Sequence, residues 1–192
     1  MANRFQDKDH DLVCKARDGD LQAFRVLVDH YKDKGLSLAI SILKDKTQAE
    51  DALQESFIKV YKSFPSFAFQ SKFATWFYRI VVNTSYNVLR KEKRQIHLDE
   101  IEYTESTTKQ DLPNDLLNQE IQKEYIQQAL TMIKADEAIS LRLFYLCECD
   151  LKEIESITAF SSSKIRVDLH RGRKNFKTAL KKILGPEINN LL

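Results

Sequence analysis

Apolar residues recur every three or four positions along most of the chain, the period of a helix with one buried face. Asp20 is an N-cap residue type, and Leu21, Phe24, Leu27, Val28 and Tyr31 follow it on one side of a first helix. Gly35 reads as a break, and residues 36–43 read as a short second helix. Thr47-Gln-Ala-Glu50 has the spacing of a capping box and opens a third, with Leu53, Phe57, Val60, Tyr61 and Phe64 on its apolar side. Residues 63–71, with Pro65 near their start, read as a loop. Phe73, Phe77, Ile80, Thr84 and Val88 then mark a fourth helix that runs to about Arg94.

The period fails after His97. Residues 98–115 are polar and acidic, with Pro113 near the end, and read as an extended linker. A second helical block starts near Leu116. Ile121, Tyr125, Leu130 and Ile133 mark one helix, and Ile139, Leu143, Phe144 and Leu146 mark the next. Two closely spaced helices follow, over 151–158 and 162–184, and Gly185-Pro186 ends the last. With only four glycines and three prolines in 192 residues, long runs lack any breaker, which disfavours a sandwich or barrel. The expected fold is all-α, with two small helical domains at 1–97 and 116–192 joined by the linker at 98–115.

Charge changes this picture through its distribution. The formal net charge is only +2. Yet residues 164–182 hold eight Lys/Arg against one acid, Asp168, whereas residues 98–120 hold seven acids against one base, Lys109. Separate blocks of opposite sign suggest separate tasks. No apolar run approaches the roughly 20 residues of a membrane-spanning helix. Three cysteines, Cys14, Cys147 and Cys149, with no signal-peptide pattern, fit a reducing cytoplasm. Cys147-Glu-Cys149 could be half a metal site, but no second Cys/His pair stands at zinc-like spacing, so bland thiols are the plainer reading. No glycine-rich phosphate loop, HExxH pattern or nucleophile elbow occurs, and the four histidines are scattered. These features argue against an enzyme, a cofactor, a metal or a small-molecule substrate.

Three stretches carry candidate binding chemistry. In the last helix pair, Ile154 and Ile157 face inward, Ala159-Phe160-Ser161 makes a tight turn, and Ile165, Leu169 and Phe176 anchor the second helix. That is helix-turn-helix spacing, which places the second helix in a DNA major groove. Its outward face carries Ser163, Lys164, Arg166, Val167, His170, Arg171, Arg173 and Lys174. Arg near its start can read guanine, and the later cations neutralise phosphates. An ordinary helical hairpin with a solvated basic face is the plainer alternative. In the second stretch, Asp51, Gln54, Glu55 and Ile58 lie at helical spacing beside Phe57, a stripe that can face a partner helix. Composition alone favours a solvated face there.

The third stretch, residues 67–94, crowds seven aromatics, two asparagines one helical turn apart and a basic end into one segment. Trp76 and Tyr78 lie off the Phe73/Phe77/Ile80 stripe, and Asn83 and Asn87 offer donors and acceptors to a base edge. An over-aromatic core helix and a base-binding face are equally consistent with this pattern. Arg90, Lys91, Lys93 and Arg94 tilt it toward phosphate contact.

The chain resembles the extracytoplasmic-function (group IV) sigma factors of bacterial RNA polymerase, of the sigma-70 family. Asp18-Gly-Asp-Leu-Gln-Ala-Phe24 and residues 49–61 are similar to the start of sigma domain 2. Phe73-Ala-Thr-Trp-Phe-Tyr-Arg-Ile-Val-Val-Asn83 is close to that family's F-x-T-W-L-Y-R-I-A-x-N signature, and residues 153–174 are similar to its domain 4 helix-turn-helix. The resemblance implies a sigma domain 2 bundle and a sigma domain 4 helix-turn-helix. It also implies a promoter-specificity subunit that directs core RNA polymerase and nucleates promoter melting. Asp51, Gln54, Glu55, Phe57 and Ile58 would then meet the clamp helices of the largest subunit, and domain 4 the flap. Phe67, Ala68, Phe69, Gln70 and Ser71 would capture a flipped base of the -10 element with Asn83 and Asn87, while Arg90, Lys91 and Arg94 hold adjacent phosphates. The helix-turn-helix face would read the -35 duplex. Partners would be core polymerase, promoter DNA as duplex and single strand, and an anti-sigma factor, which can hold such a protein at the inner membrane. A stand-alone helix-turn-helix regulator is the alternative. Several positions depart from the family pattern: Glu155 and Gly172 stand for Ala, Ala159 for Gly, Lys164 for Thr, and Asp168 for a basic residue.

Overall fold

The computed structural model describes residues 9–96 and 117–185, and every regular element among them is helical. The elements are α1 (His10–Arg17), α2 (Leu21–Leu43), α3 (Lys46–Ser63) and α4 (Phe73–Ile96), then α5 (Leu117–Thr131), α6 (Ala135–Leu141), α7 (Leu151–Thr158) and α8 (Ser162–Leu184). A 3-10 turn, Phe64–Ser66, leaves α3, and a π turn, Arg142–Leu146, leaves α6. The expected linker, 98–115, lies outside the described residues.

Local chemistry sets the helix starts. The Asp20 carboxylate accepts from the Gln22 and Ala23 amides at 2.8 and 3.1 Å, closing the first turn of α2. Asp150 and Glu153 form a reciprocal capping box at the start of α7, with bonds of 2.8 and 2.9 Å. The box expected at Thr47 is not the cap of α3. Asp45, two residues earlier, takes the Gln48 amide at 2.7 Å, so the helix already contains Thr47.

Gly35 corrects the sequence reading more deeply, because α2 runs unbroken through it. It is buried, and a Cβ there would stand 2.7 Å from Leu53 Cδ1 and 3.0 Å from Phe77 Cζ. The glycine is a contact point where α3 and α4 close onto α2, and it does not end the helix. Tertiary packing outweighs the helix-propensity cost of glycine, about 1 kcal/mol.

The first half is built around α4. Phe73 and Phe77 are fully buried, and Phe77 stacks on Phe57 at 4.9 Å while Phe73 stacks on Phe64 at 5.6 Å. Tyr31 of α2 meets both edge-on or tilted, at 5.2 and 5.5 Å. In the second half α8 packs on α5, α6 and α7. Gly172 is again a close-approach residue, since a Cβ would lie 3.1 Å from Leu141 Cδ1. That accounts for glycine where the resembled family has alanine.

The two halves pack against each other, α4 on α7 and α2 on α5 and α6. Glu153 accepts an ion pair from Lys72 at 3.0 Å and the Thr75 hydroxyl at 3.3 Å. Arg79 donates to Ser156, and the Tyr86 hydroxyl donates to Asp136 at 2.9 Å. Lys44, in a left-handed C-cap conformation after α2, donates to the main-chain carbonyls of Leu130 and Ile133 at 3.2 and 3.1 Å. Burial, with Arg142 nearby, brings the Lys44 ammonium down to about 8. Across the same joint, burial pushes the Cys147 thiol up to about 11 and the Cys149 thiol and Tyr78 phenol higher still.

These acids fold in their neutral forms and ionise more readily when unfolded, from about pH 9 for the thiols. Above that pH the unfolded chain binds fewer protons, so stability falls. Lys44 and Arg142 act in the opposite sense, since their folded-state values are lowered. With two thiols and two phenols raised (Tyr86 also, by burial and Asp136), loss prevails. Urea midpoints are expected to drop between pH 9 and 10, and a Cys147→Ala/Cys149→Ala variant is expected to lose less over that interval.

Candidate nucleic-acid and protein interfaces

The residues singled out in the sequence fall on three separate exposed faces. The first is on α3. Ala49, Ala52, Leu53, Ser56 and Val60 are buried, which turns Asp51, Gln54, Glu55 and Ile58 outward on the opposite side. Ile58 and Tyr61 are 47% and 51% exposed, and Phe57 is half-buried beneath them. Together with Phe24 and Val28 of α2 they line an open groove of about 520 Å³, rimmed by Glu50, Gln54 and Lys32. Glu55 is paired with Lys59 at 2.7 Å, and Lys59 also reaches Thr84 of α4 at 3.0 Å. A carboxylate stripe beside an apolar groove suits a protein partner with a basic, partly apolar helix. The sequence reading found the polar stripe but missed that α2 supplies the other wall. Phe24 and Val28 were read only as core.

The second face is the 67–71 loop with α4. Asn83 and Asn87 are exposed one turn apart, and Arg90 and Lys91 continue the same surface. The side chain of Arg94 lies outside the described residues. In the loop Ala68 and Gln70 are exposed and Ser71 is half-buried. Phe67 departs from the expected role. Its ring is 6% exposed, 4.7 Å from Trp76 and edge-on to Phe73 at 6.2 Å. It anchors the loop to the core and is not presented for stacking. Phe69 is half-buried, with a left-handed backbone at φ 53°. For Trp76 and Tyr78, which the sequence left open between core and surface, the structure gives the core: Trp76 packs under Phe67 and Phe64, and Tyr78 is 1% exposed.

The third face belongs to α8. Ile165, Asp168, Leu169 and Gly172 point inward, so Arg166, Val167, His170, Arg171 and Lys174 project to solvent with Ser163 at the first turn. Two expected members behave differently. Lys164 is tied by ion pairs to Asp136 and Asp168 at 2.8 and 2.6 Å and sits 4.1 Å over the Phe160 ring. Hydrogen bonds to those carboxylates raise its pKa against the opposing effect of burial. Arg173 turns sideways, donating to the Tyr145 hydroxyl at 2.9 Å. It walls a second groove, of about 610 Å³, between α5, the π turn and α8. Asp168, which departs from the resembled pattern, is therefore a buried counter-ion for Lys164.

The turn between α7 and α8 has Ala159 in the left-handed region at φ 59°, its amide bonded to the Glu155 carbonyl at 2.9 Å. Ser161 then caps α8 through the Lys164 amide. Among the described residues no group of side chains is arranged to hold a metal ion, and no helix is long and apolar enough to cross a membrane.

Comparison with known proteins bears on the family and the fold. The Sigma-70 region 2 family matches residues 27–95. The chain is 32% identical over 177 residues to the ECF RNA polymerase sigma factor SigW of Bacillus subtilis, covering 88% of this chain and 95% of that one. It is 28% identical over 174 residues to the ECF RNA polymerase sigma-E factor of Escherichia coli, covering 86% and 91%. Its fold matches the sigma factor RpoE of Bartonella quintana, crystallised with the anti-sigma factor NepR. The TM-score is 0.66 at 22% identity, over 84% of this chain and 98% of that one. It also matches CnrH in complex with the cytosolic domain of CnrY, at 0.62 and 17%, over 91% and 97%.

Glycine adopts the left-handed backbone without the Cβ clash that alanine suffers there. Ala159→Gly is expected to raise stability by about 1 kcal/mol, partly offset by the freer unfolded chain. A higher urea midpoint at unchanged slope checks it.

Proposed function

The chain belongs to the extracytoplasmic-function family of RNA polymerase sigma factors, and on that premise we propose how its three faces divide the work of initiation. The observation that carries the proposal is their chemical separation: an acidic stripe with an apolar groove, an Asn/Arg face beside an exposed loop, and a basic helix-turn-helix face. The division places a core-binding and -10 domain at 1–97 and a -35 domain at 116–192, with the acidic linker at 98–115 threading through the polymerase.

Asp51, Gln54, Glu55, Phe57 and Ile58 bind the clamp helices of the largest polymerase subunit. Carboxylates steer and orient the encounter, while Phe57 and Ile58 bury apolar area at its centre. On α8, Arg166, Val167, His170 and Arg171 read base edges of the -35 duplex, and Ser163 and Lys174 bond its phosphates. Lys164 joins them only by leaving its carboxylate partners, and Arg173 only by releasing Tyr145. Their share in recognition is accordingly smaller than their position suggests.

At the -10 element the backbone and side chains of 68–71, with Asn83 and Asn87, hold an extruded base of the non-template strand. Arg90, Lys91 and Arg94 hold the neighbouring phosphates. Extruding a base costs a few kcal/mol of stacking and pairing. Contacts available only to the flipped base offset that cost and so favour the open strand over the duplex. The protein forms and breaks no covalent bond in this process. An anti-sigma factor is the natural regulatory partner, acting in the cytoplasm or from the inner membrane by covering one of these faces.

Transcription from genomic fragments by core polymerase, with and without the chain, tests the function directly. Promoter-specific transcripts that require the chain are the expected result. Asp51→Lys or Glu55→Lys is expected to weaken core binding at least about tenfold, the effect of opposing one charge pair at an interface. The thermal midpoint should stay within a degree or so, because exposed ion pairs contribute little. Undiminished co-purification with core polymerase would remove these residues from the interface.

A further inference from the structure

The helix ahead of the sigma-like bundle, α1, has no role in the division of labour above, yet it is fastened to the base-capture loop at one residue. Phe69 has a left-handed backbone, φ 53°, which a bulky L side chain adopts only where its surroundings hold it. Its ring is held from α1. The Arg17 guanidinium lies over it, 5.2 Å from the centroid, and the His10 ring packs on it at 5.1 Å and 55°. Phe67 adds a tilted contact at 4.9 Å from within the loop. Arg17 itself is oriented by Asp18, whose carboxylate it meets at 3.3 Å. The flanking residues Ala68 and Gln70 are the exposed ones.

We propose that α1 positions the base-capture loop: Arg17 and His10 grip Phe69 and so hold the backbone inversion that turns Ala68 and Gln70 toward the single strand. Arg17 and His10 are positioning residues in this assignment, acting through Phe69 and touching no DNA. The gain is preorganisation. A loop already held in its binding conformation loses less conformational freedom when the base enters, and the saving appears in promoter opening alone. A cation over a partly shielded ring suits the task because it restrains the ring without a directional bond. The assignment rests on the reading of 67–71 and Asn83 as the single-strand site.

The test uses holoenzyme assembled from the full chain and core polymerase, on a promoter with 2-aminopurine at the extruded -10 position. Fluorescence follows extrusion, while core affinity and affinity for -35 duplex are measured in parallel. Arg17→Ala and Phe69→Ala are each expected to slow opening roughly five- to tenfold, with both affinities unchanged. The double variant should lose little more than either single one, because both remove the same contact. Arg17→Lys should restore most of the rate, since it keeps a cation over the ring. Phe69→Gly should lose less than Phe69→Ala, since glycine adopts the inversion without help.

Opening at the normal rate by Arg17→Ala would overturn the proposal, as would fully multiplicative losses in the double variant. So would a salt dependence of opening that falls by about one counter-ion in Arg17→Ala, the mark of a phosphate contact. Asn83→Ala separates the two levels. If it slows opening while the Arg17 variants do not, only the role of α1 fails. If neither slows opening, the single-strand site itself is misplaced.

Discussion

The grip of α2 and α3 on α4 is the constraint on which the first half depends. Phe77 lies against Tyr31 and Phe57, with Gly35 leaving the room its ring needs. Aromatic pairs of this kind add about 0.5–1.5 kcal/mol each beyond the area they bury. Their geometry matters more here than their sum. Once Phe73 and Phe77 are fixed, the rotation of α4 is fixed, and with it the direction of every later residue on that helix. Asn83 and Asn87 face solvent because the rings of Phe73 and Phe77, earlier on the same helix, cannot. The outward stripe of α3 follows from the same arrangement, since Phe57 faces α4 and its neighbours Asp51, Gln54 and Ile58 then face away.

The second half is fixed to this frame by polar contacts that converge on acidic residues. Glu153 receives Lys72 and Thr75 while its other oxygen closes the capping box of α7. Asp136 receives Tyr86 from α4 and Lys164 from α8. The first turn of α8 is thereby linked through one carboxylate to α4, the helix that carries Asn83 and Asn87. Lys164 and Asp168, which depart from the resembled family pattern, form part of that link with Asp136.

Much of this was legible in the sequence, for identifiable reasons. The start of α2 at Asp20 could be placed because capping chemistry is local. The helix-turn-helix was legible because Ile154, Ile157, Ile165 and Leu169 keep their period across a three-residue turn. Gly35 was misread because its reason for being glycine lies in Leu53 and Phe77, distant in sequence. Thr47 was misread because Asp45 caps the helix two residues earlier, through the Gln48 amide, and leaves Thr47 inside the first turn. Among the candidate site residues, exposure followed from periodicity on α3 and α8, but the departures of Arg173 and Phe67, and the Asp136 arm of Lys164, depend on partners that no spacing reveals; the Asp168 arm of Lys164 is an i,i+4 pair. Tyr78 illustrates the limit well: off the apolar stripe of its own helix, it is buried by the opposite half of the molecule. The part played by α1 was invisible because its helix is short and its one informative contact, with Phe69, spans half a hundred residues.

Lys44 bridges the halves by reading main-chain carbonyls at Leu130 and Ile133, not side chains. Every residue type carries such a carbonyl. The contact therefore places almost no demand on the identity of the residues at the end of α5. Substitutions can accumulate there over evolutionary time as long as the helix ends at the same place, whereas position 44 itself must keep a long cationic or donor side chain. A joint of this kind is written into one half of the molecule only, and leaves the other half free to diverge.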